Sequence, residues 1–106
     1  MLNPDQWSTI RNLVAWLDAE NGRSPDEISL RILKLSEESG EAAQAWIGVR
    51  GQNPRKGVTH THVDVQDELC DVIVTAAVAL ASIAGNPGDV LDAKLAKVAA
   101  RSGMNA

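Results

Sequence analysis

Glu38 and Glu41 stand three residues apart in the run Lys34-Leu-Ser-Glu-Glu-Ser-Gly-Glu41, and Glu68 and Asp71 repeat that spacing in Asp67-Glu-Leu-Cys-Asp71. On an α-helix an i,i+3 step turns the second side chain only about 60° from the first, so both carboxylates of a pair leave one face. If the two helices pack antiparallel, Glu38 and Glu41 face Glu68 and Asp71, and four converging oxygen donors select Mg²⁺, Mn²⁺ or Ca²⁺ over Zn²⁺. Mg²⁺ is seldom caged by protein alone and keeps waters and phosphate oxygens in its octahedron, so the expected ligand is a phosphorylated molecule. Acids at i,i+3 are commonly no more than solvated helix faces with local ion pairs. Two pairs that each border an apolar stripe are different, because like charges at an inter-helix seam repel unless a cation joins them.

Other residues could serve the same chemistry. Lys94, Lys97 and Arg101 are spaced i, i+3, i+7 and share a face that could hold phosphate charge, or simply favour a helix C-terminus. Lys34, one turn before Glu38, is placed to touch phosphate or to pair with that acid. Trp46, near the end of the helix bearing the first acidic pair, could stack on a base, as could Trp7 and Trp16; in a small helical domain a core role competes with each. His60 and His62 lack the further nitrogen or sulfur ligands that zinc needs. Cys70 reads as a small core residue rather than a nucleophile. No glycine-rich phosphate loop is present.

The elements that must carry these residues are helical. The 106 residues suit a single domain (1–106), alanine is abundant, and aromatics are 3%, all tryptophan. Asn3-Pro4-Asp5 starts a first helix that stops near Asn21-Gly22. Ser24-Pro25-Asp26-Glu27 reads as a capping box launching a second helix to about Ile47, with Ile28, Ile32, Leu35, Ala42 and Trp46 as its inner stripe. From Gly48 to about Thr61, interleaved glycines, Pro54, Arg50, Arg55 and Lys56 predict a flexible basic loop. A third helix then bears Glu68 and Asp71 and becomes almost wholly apolar from Val72 to Ala84, too short to span a bilayer, and expected to be covered by its own domain and by a second subunit. Gly85-Asn86-Pro87 closes it and is expected to cap a fourth helix with Leu91, Leu95 and Val98 inward, ended by Gly103.

Charge excludes one class of partner. The chain has 14 acidic and 10 basic residues, net −4, and setting aside the four candidate ligands leaves 10 against 10. That balance argues against coating a nucleic-acid polymer. A single cysteine, and no basic segment leading into an apolar one at the N-terminus, make a cytoplasmic location the expectation, with no membrane partner.

The pattern Glu37-Glu38-x-x-Glu41, 26 intervening residues, then Glu68-x-x-Asp71 resembles the signature of the MazG-like all-α nucleoside triphosphate pyrophosphohydrolases, shared by dimeric dUTPases and dCTP pyrophosphatases. The likeness spans the second and third helices and extends to the basic face of the fourth. It implies a four-helix all-α fold and hydrolysis of a (deoxy)nucleoside triphosphate to monophosphate and pyrophosphate. It also implies Mg²⁺, with Mn²⁺ able to substitute, and a homodimer or tetramer. By motif position Glu38, Glu41, Glu68 and Asp71 are the metal ligands, and Glu37 is a supporting acid or the general base. Lys34, Trp46, Lys94, Lys97 and Arg101 are then the candidate substrate contacts. The competing reading is a noncatalytic oligomeric module whose acids bind a structural cation or a basic partner; a third is action on another pyrophosphate compound, such as a phosphoribosyl nucleotide.

Overall fold

Three of the four helices begin where a side chain answers an unpaired N–H group, while Asn86, expected to cap the fourth, makes no side-chain cap hydrogen bond. The computed structural model describes residues 2–104, and among these it has four helices and no strand: α1 (Pro4–Asn21), α2 (Pro25–Arg50), α3 (His62–Ile83) and α4 (Pro87–Arg101). At α1, Asn3 Oδ1 accepts from the Gln6 N–H and Gln6 Oε1 accepts from the Asn3 N–H, both at 2.8 Å. Thr61 and Asp64 form the same reciprocal box at α3. Only half of the box expected at α2 forms. Ser24 Oγ accepts from the Glu27 N–H at 3.2 Å, while the Glu27 carboxylate accepts from Arg31 Nε at 2.7 Å.

The end of α2 departs from the sequence expectation. The helix continues to Arg50 and stops at Gly51, whose φ of 60° is left-handed. The loop is therefore 51–61 rather than 48–61. Gly48 is buried inside the helix because the loop folds back over it: the Thr59 N–H donates to the Gly48 carbonyl at 3.0 Å, and a Cβ at 48 would overlap the His60 ring and Thr59 Oγ1. The loop is also tied within itself. The Asn53 carbonyl accepts from the Gly57 N–H at 2.9 Å, and Asn53 Oδ1 accepts from the Arg55 N–H at 3.0 Å.

The main packing is α2 on α3, with α1 crossing α3 through Trp7, Ile10 and Ala77. The start of α2 lies against the end of α3, where Arg31 Nη1 donates to Ser82 Oγ at 3.1 Å. At the opposite end Trp46 meets His62 edge-to-face with ring centroids 5.6 Å apart. Small residues line the seam. Ala45 of α2, with Ala79 and Ser82 of α3, is buried, and short side chains let the helix axes approach closely. Of the stripe expected to be inner on α2, Ile28, Leu35 and Ala42 are partly buried, whereas Ile32 is 46% and Trp46 45% exposed. Cys70, expected in the core, is exposed. α4 turns 117° away from α3, and Leu95 and Val98, expected inward, remain largely solvent-facing. No single helix among the described residues is long and apolar enough to cross a membrane.

One charged residue sits at the junction of the first three helices. Arg31 is 5% exposed and donates to Glu27, to Asp18 Oδ1 at 2.9 Å, to Ser82 Oγ and to the Gly22 carbonyl at 3.0 Å. Asp18 also accepts from Arg23. Partial burial works against the charged form of Asp18, but the hydrogen bonds from Arg23 and Arg31 outweigh it and hold its pKa below the ordinary carboxylate value. A backbone hydrogen bond from Thr61 lowers that of Asp64. A folded-state pKa below the unfolded one adds stability that is full at neutral pH and is lost as pH falls through the depressed value. Stability should therefore drop below about pH 4. Asp18→Asn should flatten that acid limb when unfolding is followed by circular dichroism, and an unaltered limb would remove Asp18 from the cause.

Candidate metal centre

The small-residue seam brings acids from both helices together. Single carboxylate oxygens of Glu38 and Glu41 on α2 and Glu68 on α3 all lie within 4.8 Å of one another. It is the one such cluster of Asp, Glu, His or Cys donors among the described residues. Glu38 and Glu68 are partly buried, and Glu68 Oε2 is sealed from solvent without a hydrogen-bond partner. An unsatisfied buried carboxylate oxygen costs more than the roughly 1–3 kcal/mol of a neutral group. Two further negative charges within 4.8 Å add repulsion. A divalent cation answers both demands, and an all-oxygen donor set fits Mg²⁺ or Mn²⁺.

The remaining candidates are placed less centrally. Asp71 is exposed, one turn beyond Glu68, and stands outside the group of three. Glu37 is also outside it, with its side chain 63% exposed and 3.6 Å from Lys34 Nζ. Lys34 Nζ is likewise 3.6 Å from Glu38 Oε1, so it bridges the exposed acid and the partly buried one. Trp46 lies five residues past Glu41, about 140° further round the helix, and rests on His62 rather than near the carboxylates. Lys94, Lys97 and Arg101 are exposed on α4, which leaves the far end of α3; Glu68 to Ile83 is fifteen residues, about 22 Å of helix. The fold of one chain does not bring these three cations to the acids.

Two of the hollows in the structure involve residues of α2 near the acids. An apolar pocket of about 230 Å³ opens between α1, α2 and α3, walled by Leu13, Trp16, Val74 and Val78, with Lys34 and Thr75 at its polar edge. Lys34 is one turn from Glu38, and Thr75 is seven residues from Glu68 on the same face, so the pocket adjoins the cluster. Trp16 is 60% exposed, leaving its ring free for a ligand. At the other end, Gln44, Asn53, Lys56 and His60 wall a polar cleft of about 280 Å³, beginning one turn after Glu41. The basic loop thus contributes Lys56 to a hollow. Comparison with protein-family models, curated proteins and solved structures finds no match for this chain.

Proposed function

We propose that the chain is a Mg²⁺-dependent nucleoside triphosphate pyrophosphohydrolase of the MazG-like kind, with α2 and α3 as its antiparallel metal-bearing pair. The observation that carries this reading is the convergence of Glu38, Glu41 and Glu68 within 4.8 Å around the unpartnered, buried Oε2 of Glu68. The spacing of Glu37, Glu38, Glu41, Glu68 and Asp71 supports the choice of reaction. Hydrolysis adds one water across the bond between the α and β phosphates and yields a monophosphate and pyrophosphate. When bound, the cation supplies a Lewis acid for a phosphoryl oxygen and offsets the phosphate charge.

The chain's own residues divide the remaining work. Glu38, Glu41 and Glu68 hold the cation, with Asp71 as the outer, solvent-side member of the set. Lys34, at the rim between the acids and the apolar pocket, takes phosphate charge. Glu37, exposed and adjacent, accepts the proton of the attacking water and releases it to solvent. The pocket beside Trp16 takes the base through stacking and apolar contact.

The test is a panel of canonical and damaged nucleoside triphosphates incubated with Mg²⁺, with monophosphate and pyrophosphate quantified together. At least one member should give the two products in equal amounts, and EDTA should stop the reaction. A panel without monophosphate would overturn the enzymatic reading and leave a noncatalytic cation-binding module.

A further inference from the structure

We propose that the start of α4, together with Trp7 and Arg11 of α1, binds a phosphate oxyanion, free or as a monoester, at a site separate from the metal centre. Trp7 is 7% exposed and its ring belongs to the core with Ile10 and Ala77, yet its indole N–H has no hydrogen-bond acceptor among the described residues. A tryptophan buried to this degree usually gives its N–H a partner. The indole nitrogen faces the first turn of α4. It lies 3.1 Å from where a Cβ on Gly88 would stand, nearer than any other atom of the ring. Glycine at 88 leaves that space free, and Trp7 and Gly88 both line a hollow of about 230 Å³ at the end of α1 and the start of α4.

The other donors at this hollow are also unanswered. Pro87 has no N–H, and the Val90 N–H already donates to the Asn86 carbonyl at 3.1 Å, which leaves Gly88 and Asp89 as the open donors of the first turn. Asn3, Ser24 and Thr61 place a side-chain oxygen on the corresponding groups of their helices, whereas Asn86 does not. These N–H groups and the positive end of the helix dipole favour an anion. Arg11, one turn after Trp7 on the same face of α1, lines the hollow and has no ion-pair partner among the described residues. Asp89 is the one acid at the rim. Its charge is matched by Arg11, so the indole, the two amides and the dipole supply the net attraction. Donors that reach the hollow from both α1 and α4 suit a tetrahedral oxyanion better than a flat carboxylate. The hollow is smaller than the roughly 300–1,000 Å³ of pockets that enclose drug-sized ligands, so the phosphate group enters and the organic part of a monoester stays outside.

Titrating orthophosphate into the whole chain in EDTA at constant ionic strength tests this site apart from the metal centre and apart from turnover. The chain has 3 tryptophans, so its ¹H–¹⁵N spectrum carries three indole signals. Trp16→Phe and Trp46→Phe, both at exposed positions, identify the signal of Trp7 by elimination. That signal should move downfield and saturate in the millimolar range, while chloride at the same ionic strength leaves it in place. Arg11→Ala should raise the half-saturation concentration about tenfold. Gly88→Ala should abolish the shift by filling the space beside the indole nitrogen, and alanine is the better helix former, so α4 should be retained. Glycerol phosphate, titrated in parallel, distinguishes the two sources of the group: half-saturation below that of orthophosphate makes the ligand a monoester, and above it the free ion. A Trp7 signal that neither compound moves overturns the proposal. So does a shift that chloride reproduces, or one that Arg11→Ala and Gly88→Ala both leave intact.

Discussion

Glu68→Gln is expected to lower Mg²⁺-dependent monophosphate formation by at least about 100-fold, and in the same protein to raise the melting temperature measured without metal. Both effects follow from one charge. The substitution keeps the shape of the side chain but replaces one carboxylate oxygen with an amide nitrogen that cannot ligate a cation. It also removes the repulsion of Glu68 with Glu38 and Glu41, each within 4.8 Å, which amounts to about 1 kcal/mol per pair in water and roughly 3–4 kcal/mol at the effective dielectric of a protein surface. In the unsubstituted chain Mg²⁺ should therefore raise the melting temperature, and in Glu68→Gln that gain should shrink or vanish. Asp71→Asn should cost less on both counts, because Asp71 is exposed and outside the close group. If Glu68→Gln keeps full turnover, or if its metal-free form melts no higher, the three carboxylates do not form a cation site.

The sequence made the acidic cluster legible because i,i+3 spacing on a helix is a local property: once α2 and α3 exist, each pair must share a face. The starts at Asn3 and Ser24 were legible for the same reason, since each acts on an N–H three residues on, whereas Thr61, expected only as the end of the loop, proves to cap α3. What lies between elements was harder to read. Gly48 looked like the start of a loop, and only the return of Thr59 and His60 over it explains a buried helical glycine. The stripe Ile28, Ile32, Leu35, Ala42 and Trp46 was correctly seen as apolar, but periodicity does not say whether the cover comes from the same chain. Ala45 is the most deeply buried side chain of α2, whereas Gly48 is covered by Thr59 and His60 of the returning loop. Spacing and resemblance both point to the cations of α4 as phosphate contacts, but neither carries the 117° turn between α3 and α4 that sets where that helix lies.

Arg31 was not anticipated as a structural centre, and its removal should be the most destabilising polar substitution in the chain. A Glu27–Arg31 pair at i,i+4 is visible in the sequence, but such pairs usually contribute a few tenths of a kcal/mol. Here the guanidinium is 4% exposed and its fork reaches α1, the α1–α2 turn and α3 at once. Arg31→Leu leaves Asp18 and Glu27 without their cation and the Gly22 carbonyl without a donor. Breaking a buried pair in this way costs about 3–5 kcal/mol. Asp18, at 28% exposed, recovers some hydration and favours the lower end. At 4–8 °C per kcal/mol for a domain of this size, a loss of about 3 kcal/mol should lower the melting temperature by roughly 12–24 °C. Arg23→Ala provides a milder contrast: its side chain is 47% exposed and it shares Asp18, though it also donates to the Ser82 carbonyl, so its loss should cost about 1–2 kcal/mol. Arg31→Lys should recover only part of the loss, since an ammonium cannot span partners on three sides as the planar fork does. Equal, small shifts for the Arg31 and Arg23 variants would show that the junction is held by apolar packing alone. Arg31 lies two turns before Glu38 on the same face of α2. The clamp that sets α2 against Ser82 therefore also sets the register at which Glu38 meets Glu68, and Arg31→Leu should weaken the Mg²⁺-induced rise in melting temperature without touching a ligand.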